Sequence, residues 1–476
     1  LRRSEAMAAR DEMDDIQALV RSGLGSLGSA RYLLLRIGDA ARARAWLRGL
    51  APTRASEVGG GKTVDRAIQI AFSRAGLVAL GFADADLEGL APEFLDGMAG
   101  DERRSHRLGD VGASAPEHWR WGRREAEPHI LVILCARSAL FKPWADGIEA
   151  DALASGCRRT AAFDSCPGRE DGSVAQEPFG FADGMSQPDI DWDGRLAVTG
   201  AVNRDYRAGI APGEVLIGHN NEYGFVGDMP QGRLSARNGS YLVYRQLEQD
   251  VTGFWRWAAA EAGPERAVWL AEQIVGRCLN GTALPGLGGK DNDFLFKSDP
   301  EGRACPLGAH VRRANPRSGD DPLGRRGFVR DVIASLGLEG RAADDAVASA
   351  RFHRLLRRGR PYGRMLSPAQ AMAPGQPPVE AGLHFVCLNA SLARQFEFVQ
   401  GAWLTSATFG GLSGEGDPLT GQRLPFPDEG RTDLFRYHDE AGLPRIAQRL
   451  PAFVTVRGGA YFLLPGIAGL ASITRG

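Results

Sequence analysis

No C-x-x-C pair occurs in this chain, and its six cysteines are scattered over 476 residues, well below the density of a secreted disulfide scaffold. A reducing compartment, the cytoplasm, is therefore the simpler expectation. No stretch approaches the apolar length of a membrane span. The first thirty residues lack an apolar signal core and carry instead Arg2, Arg3, Glu5, Arg10, Asp11, Glu12, Asp14 and Asp15. The chain starts at Leu1, so a leader already removed stays open. An excess of one charge is also missing. With 57 Lys+Arg against 58 Asp+Glu, no whole-chain field exists to hold nucleic acid or an anionic membrane. The eight histidines include no H-x-x-x-H or H-E-x-x-H zinc pair.

What is present is a globular composition, 43% hydrophobic and 24% charged, at a length that one core rarely serves. Tyr32 to Ile37 reads as a buried strand, followed by a helical pattern through Ala40 to Leu50. Ala67 to Phe72 is a second strand, with Ser73 placed to cap a short helix ending near Gly81. His129 to Ala136 supplies a third strand, and Ile148 to Ser155 fits a helix. The second half repeats the theme. Ser240 to Arg245 leads into a helix with Phe254, Trp255 and Trp257, as Tyr32 to Ile37 leads into the one with Trp46. Leu383 to Leu388, with Asn389 capping a helix at Ala393 to Val399, parallels Ile68 to Phe72 with Ser73, and Ala460 to Leu464 is a last strand. The pattern predicts two copies of one α+β unit, each an antiparallel sheet backed by helices, divided as residues 1–237 and 238–476.

Two irregular stretches interrupt these units, Cys166 to Gly239 and Gly276 to about Gly363. Long segments without periodicity in a compact chain are usually functional or inserted. Two other glycine-rich strings are decoys. Gly23 to Gly28 fits G-x-G-x-x-G, but a helical pattern precedes it and a strand follows, the reverse of a dinucleotide fold. Gly59-Gly60-Gly61-Lys62-Thr63 ends like a phosphate-binding loop but has Ser56 where its first glycine belongs.

The irregular stretches hold the chemistry. Gly180-Phe181-Ala182-Asp183-Gly184 sets an acid between glycines, and Cys305 to Arg317 (CPLGAHVRRANPR) sets His310 beside Arg312, Arg313 and Arg317. Each has a plainer reading: a lone histidine is often a packed core residue, and Asp-Gly is a common turn. Taken together, the segments resemble those of the dye-decolorizing peroxidase family. Residues 305 to 317 are similar to its proximal-ligand motif, and Gly180 to Gly184, extended by Ser186, Gln187 and Pro188, is similar to its G-x-x-D-G signature. Leu355 to Gly363, Leu383-His384-Phe385, Asn238 to Val251, Asn280-Gly281-Thr282 and Asp291 to Phe294 resemble further family segments, in order along most of the chain.

The resemblance implies duplicated ferredoxin-like units with one haem b per chain, held mainly by the C-terminal half. It implies a peroxidase that reduces hydrogen peroxide to water through a ferryl intermediate and oxidises small aromatic donors such as dyes and phenols. His310 becomes the iron ligand, Asp183 the acid and base that moves a proton between the peroxide oxygens, and Arg357 the cation that stabilises the departing oxygen, with Arg358 as the alternative. Arg312 and Arg317, with Arg313 between them, give fixed positive charge suited to the haem propionates, Phe181 and Gly184 would lie at the cofactor, and Leu383 and Phe385, alternating on one strand face, would form the distal wall. A carboxylate on the second nitrogen of His310 would push electron density toward iron. Asp417 is the first candidate and Glu397 the second, and a turn-forming role for Asp417 before Pro418 stays open. An aspartate base, ordinarily of pKa ~3.9, implies turnover at more acidic pH than a histidine base allows. Buried haem implies electron exit through aromatic residues, with Trp255, Trp257, Trp403 and Tyr362 as candidates.

Two other functions use the same residues differently. A haem carrier or iron-releasing protein would need His310 but little of Asp183 and Arg357. A binding module on duplicated sheets would need none of them. The physiological reductant, any oxidation of manganese and a homo-oligomeric state are not legible in the chain.

Overall fold

In this computed structural model, residues 12–168, 170, 174–193, 209–227, 229–230, 232–287, 292, 294–317, 349–423 and 432–475 are described. The charged residues ahead of residue 12, and Asp291 and Asp293 of the family-like segment, lie outside them.

The first half contributes β1 (Ser29–Ile37), β2 (Arg66–Phe72), β3 (Ile130–Ala136) and β4 (Cys157–Asp164). The second contributes β5 (Ser240–Gln249), β6 (Leu356–Arg357), β7 (Arg360–Gly363), β8 (Ala381–Asn389), a separate hairpin β9 (Phe435–His438) and β10 (Pro444–Ala447), and β11 (Val454–Leu464). Except for that hairpin, the strands form one sheet in the order β4-β1-β3-β2-β11-β5-β8-β6, with β7 also on β8. All pairings are antiparallel. If β6 and β7 count as one broken strand, both halves run fourth, first, third, second. That order is the ferredoxin-like βαββαβ unit used twice, and the two copies meet where Leu463 of β11 lies opposite Phe72 of β2.

This topology corrects one expected correspondence. β8 pairs with β5 as β3 pairs with β1, so β8 matches β3 rather than β2. Alternating apolar residues report burial on a sheet, not position within it. Asn389 caps no helix. Its amide donates to the Tyr241 carbonyl at 3.4 Å, and the next helix, Phe396–Phe398, runs on as a π-turn over Val399–Thr405. Ser73, by contrast, accepts from Gly76 N as the cap of Arg74–Ala79, and both decoy strings lie in turns.

The sheet is covered on both faces, which is why the whole of β3 is apolar and buried. On one face Leu33, Leu35, Val132 and Leu134 pack with Trp46 and Leu47 of the helix Ala40–Gly49 and Phe141 of the helix Ser138–Ala154. On the other, Tyr32, Leu34, Leu131 and Ile133 pack under Leu19, Val20, Leu24 and Leu27. The second half keeps this alternation, but after β8 the three-residue helix and π-turn stand where the first half has the seventeen-residue helix Ser138–Ala154. No helix among the described residues is long and apolar enough to cross a membrane.

Candidate active site

A cavity of about 310 Å³ lies against the sheet of the second half, with residues 108–110 and the loop after β4 of the first half on its wall. β5 lends it Arg245, Leu247 and Gln249, β8 lends Leu383 and Phe385, and β6 lends Arg357. The π-turn adds Val399, Trp403 and Leu404, the helix His310–Ala314 adds its first residue, and the loop Glu177–Ser186 adds Phe181 and Asp183. The two islands of the sequence, more than a hundred residues apart, thus border one space with Arg357.

His310 hydrogen-bonds through Nδ1 to Asp417 Oδ2 at 2.9 Å. Asp417 is fully buried. Its other oxygen accepts from Leu419 N at 3.0 Å, Thr420 N at 2.8 Å and Thr420 Oγ1 at 3.0 Å. Asp417 is therefore both the turn residue and the histidine's partner. Gly421 closes this turn: a Cβ there would lie 2.4 Å from the Asp417 carbonyl oxygen. Burial works to raise the Asp417 carboxyl, but the charge and hydrogen bond of His310, followed by the charge of Arg313, bring it down to about 2. Burial likewise disfavours the charged imidazole, yet Asp417 outweighs it and the His310 pKa is raised. An ionised Asp417 only accepts, so Nδ1 carries the proton and a neutral His310 keeps its Nε2 lone pair available.

Arg313 holds this corner together. It is fully buried and donates to Trp403 O at 2.9 Å and Glu415 O at 3.1 Å, and also to Ser406 O. It thereby ties the helix of His310 to the end of the π-turn and the residues flanking Asp417. Glu397 is not at His310. Its oxygens accept from Arg104 at 3.0 Å, Arg107 at 2.7 Å and Tyr461 at 2.9 Å, so three donors hold it elsewhere.

Asp183 stands on a narrow hairpin in which Gln176 bridges Ala182 and Asp183 N donates to Ala175 O at 2.8 Å. Its Oδ1 accepts from Gly184 N at 2.6 Å. Gly180 supplies the turn with φ +99°, a value open to glycine alone at little cost. Arg357 fastens the far end of this loop. Its Nη2 donates to Met185 O at 2.6 Å, and its backbone N donates to Gln187 Oε1 at 2.9 Å. Arg358 points to the opposite sheet face, where its guanidinium donates to Leu19 O at 2.7 Å and Val20 O at 3.0 Å. Strand alternation thus puts Arg357, and not Arg358, in the cavity wall.

The two guanidiniums expected at cofactor carboxylates are engaged elsewhere, and neither lines the cavity. Arg312 donates to Asp299 Oδ2 at 3.0 Å and Cys305 O at 2.7 Å. Arg317 donates to Asn292 O at 2.7 Å, Phe294 O at 2.6 Å and Ser186 Oγ at 2.9 Å, with its carbon 3.8 Å from the Phe294 ring centroid. Arg312 and Arg313 are successive residues of the helix His310–Ala314, where side chains turn about 100° apart, and Arg317 lies beyond its end, so the three do not share one direction. Arg277 and Arg354 line the cavity instead, as does Glu177, and none of these three stood out in the sequence. Gly184 is exposed and does not line it, whereas Phe181 does. Trp255, Trp403 and Tyr362 are buried, at 0%, 6% and 7% exposure, and Trp257 is only half-buried, so among the described residues the exposed aromatics are others, Tyr223 at 56% and Phe225 at 70%.

No family model matches the chain. It is 29% identical over 506 aligned residues to the multifunctional dye peroxidase DyP2 of Amycolatopsis sp., spanning 98% of this chain and 97% of that one. It is 28% identical to the dye-decolorizing peroxidase AauDyP1 of Auricularia auricula-judae, over 85% of this chain and 75% of that protein. The solved structure of a fungal DyP-type peroxidase from Auricularia auricula-judae superposes with a TM-score of 0.74 at 22% identity, covering 97% of this chain and 99% of the other. The DyP-type peroxidase of Anabaena sp. gives 0.74 at 21% identity, over 98% and 95%. In sequence over almost its whole length, and in fold, the chain is a relative of the dye-decolorizing peroxidases.

Proposed function

We propose that the protein is a haem peroxidase that reduces hydrogen peroxide to water and oxidises small aromatic donors such as dyes and phenols. The observation that carries this reading is a single cavity bordered by an imidazole seated on a buried carboxylate, an acid and a guanidinium. The residues present fit haem. A neutral imidazole with its second nitrogen on a carboxylate is a donor suited to haem iron, and Leu383, Phe385, Phe181 and Leu404 give the cavity an apolar wall. Haem b, one per chain, supplies when bound an iron that takes two oxidising equivalents and releases them singly. His310 would hold it, with Arg277 or Arg354 rather than Arg312 and Arg317 in reach of its propionates.

The chain's own part is proton and charge control. Asp183 takes the proton from the attacking oxygen of peroxide and returns it to the departing one, a function typically worth ~10²- to 10⁴-fold. Arg357 carries a permanent charge with several donors and stabilises the negative charge growing on that departing oxygen. Asp417 keeps the His310 proton on Nδ1 throughout. A dye-decolorizing peroxidase of the same fold, with a TM-score of 0.72, has been solved with 2,6-dimethoxyphenol, and that phenol is the natural first donor to try. The six described cysteines are free thiols, in keeping with a cytoplasmic setting, and we divide the units at residues 237 and 238, just ahead of β5.

The test is peroxide-dependent oxidation of 2,6-dimethoxyphenol by the haem-loaded full chain. Turnover is expected. Tight haem binding without turnover would support a haem carrier instead, a function that leaves Asp183 and Arg357 without work.

A further inference from the structure

A second, half-buried acid of the Asp183 hairpin, Glu177, borders the same cavity and has no part in the chemistry above. Glu177 Oε1 accepts from Phe181 N at 2.9 Å, and Oε2 accepts from Phe179 N at 3.1 Å and from Gln249 Nε2 at 2.8 Å. Its backbone closes the same turn, with Glu177 N donating to Phe181 O at 2.9 Å and Gly180 N donating to Glu177 O at 2.8 Å. The hairpin that presents Asp183 is therefore wound around this one carboxylate, and Gln249 ties the carboxylate to β5. A carboxylate receiving three N–H donors is fixed in place, and replacing an oxygen by a donor would break at least one of those bonds.

We propose that Glu177 is a positioning residue for Asp183: it anchors the hairpin that carries the acid, and the negative charge it gains on ionising makes Asp183 a better proton acceptor. This rests on the reading of Asp183 as the proton-transfer group. Two like charges on one short hairpin, facing an apolar cavity, disfavour each other and so favour a proton on either. Burial raises the Glu177 carboxyl to about 7, with the charge of Asp183 adding to it and the donors from Gln249, Phe179 and Phe181 opposing it. The sign follows. Below that pH Glu177 is neutral and leaves Asp183 unassisted, and above it the ionised Glu177 draws the peroxide proton more strongly to Asp183. The other charged or titratable groups around the cavity are His310, His353, His384, Arg277, Arg354, Arg357 and the buried Arg245–Asp110 pair, and a step from His353 or His384 would survive changes at Glu177. The arginines keep their charge throughout. Burial, opposed by Arg245, puts Asp110 at about 6, so a step from Asp110 would lie lower and survive changes at Glu177.

The experiment is stopped-flow measurement of the second-order rate constant for peroxide with the haem-loaded full chain, from pH 5 to pH 9. The wild type is expected to step upward near pH 7. In Glu177→Gln the step is lost, and the rate below it matches that of the wild type. A Glu177→Gln rate lowered equally at every pH, or one with the step intact, overturns the proposal. Should that variant fail to fold, Gln249→Leu removes one donor to the ionised carboxylate and is expected to move the step to higher pH, and an unmoved step overturns the proposal equally. Asp183→Asn separates the two layers. A peroxide rate that survives it removes the proton-transfer reading itself, whereas loss of that rate with an unchanged Glu177→Gln profile removes only the function given to Glu177.

Discussion

His310 and Asp417 lie 107 residues apart in sequence and 2.9 Å apart in space, and this contact decides which ring nitrogen is left to bind a metal. Asp417 is held by the Leu419 and Thr420 amides and cannot swing away. Replacing it with asparagine keeps the shape but removes the charge. Outer partners of metal-bound histidines are worth about 10- to 100-fold in affinity or activity, so Asp417→Asn is expected to lose haem affinity or peroxidase rate on that scale. Glu397→Gln, three-donor anchored elsewhere, is expected to leave the haem spectrum unchanged. Haem titration of the two variants checks both.

Arg357 and Arg358 offer a comparison in adjacent residues. Arg357→Leu should slow the reaction with peroxide by about 10²- to 10³-fold, the usual scale for removing one donor aimed at developing charge. Arg358→Leu should leave that rate within a small factor and lower stability instead, because the Leu19 and Val20 carbonyls lose their donors. Peroxide kinetics and denaturation midpoints, read together, distinguish the two.

A third expectation concerns acid. His384 is fully buried among Tyr32, Tyr244 and Tyr362, and burial lowers it to about 3. In the unfolded chain an imidazole titrates near ~6.5, so between those values the unfolded state binds the extra proton. The stability held by a neutral His384 is thus complete above ~6.5 and is lost as pH falls, at up to about 1.4 kcal/mol per pH unit. Carboxyls raised toward neutrality by partial burial, such as Glu127 at about 7, gain stability over part of the same range, so the difference between two chains is the useful quantity. His384→Phe should be less stable at pH 7, having left Tyr244 Oη without its 3.0 Å partner, and should lose less on going to pH 5. Equal losses in the two proteins would contradict the assignment.

Much of the sheet was legible because its central strands are short apolar runs bounded by turns: β1, β2, β3, β5, β8 and β11 all stand where the patterning puts them. β4 escaped notice because it is an edge strand with Arg158 and Arg159 exposed, and β6 and β7 are too short to show a period. The π-turn has no sequence signature of its own. In the site, His310, Asp183 and Arg357 stood out through the segments that resemble the family's motifs, and all three reach the cavity. For the partner of His310 the sequence ranked Asp417 ahead of Glu397 but left both open, since the choice depends on a contact closed between distant segments. Arg312 and Arg317 do not line the cavity, because a cluster of cations in sequence need not share a direction in space. Glu177 was overlooked because two of its three hydrogen bonds come from backbone amides that any residue at positions 179 and 181 would supply.

The central claim is that Asp183 and His310 serve one bound haem, and mixing with peroxide tests it most directly. The haem-loaded wild type, Asp183→Asn and His310→Ala are compared by absorption before and within milliseconds after hydrogen peroxide is added. The account expects Asp183→Asn to keep the wild-type Soret band and to react ~10²- to 10⁴-fold more slowly, and His310→Ala to lose that band or shift it. An Asp183→Asn protein reacting as fast as the wild type, or a His310→Ala protein with an unaltered spectrum, would contradict it.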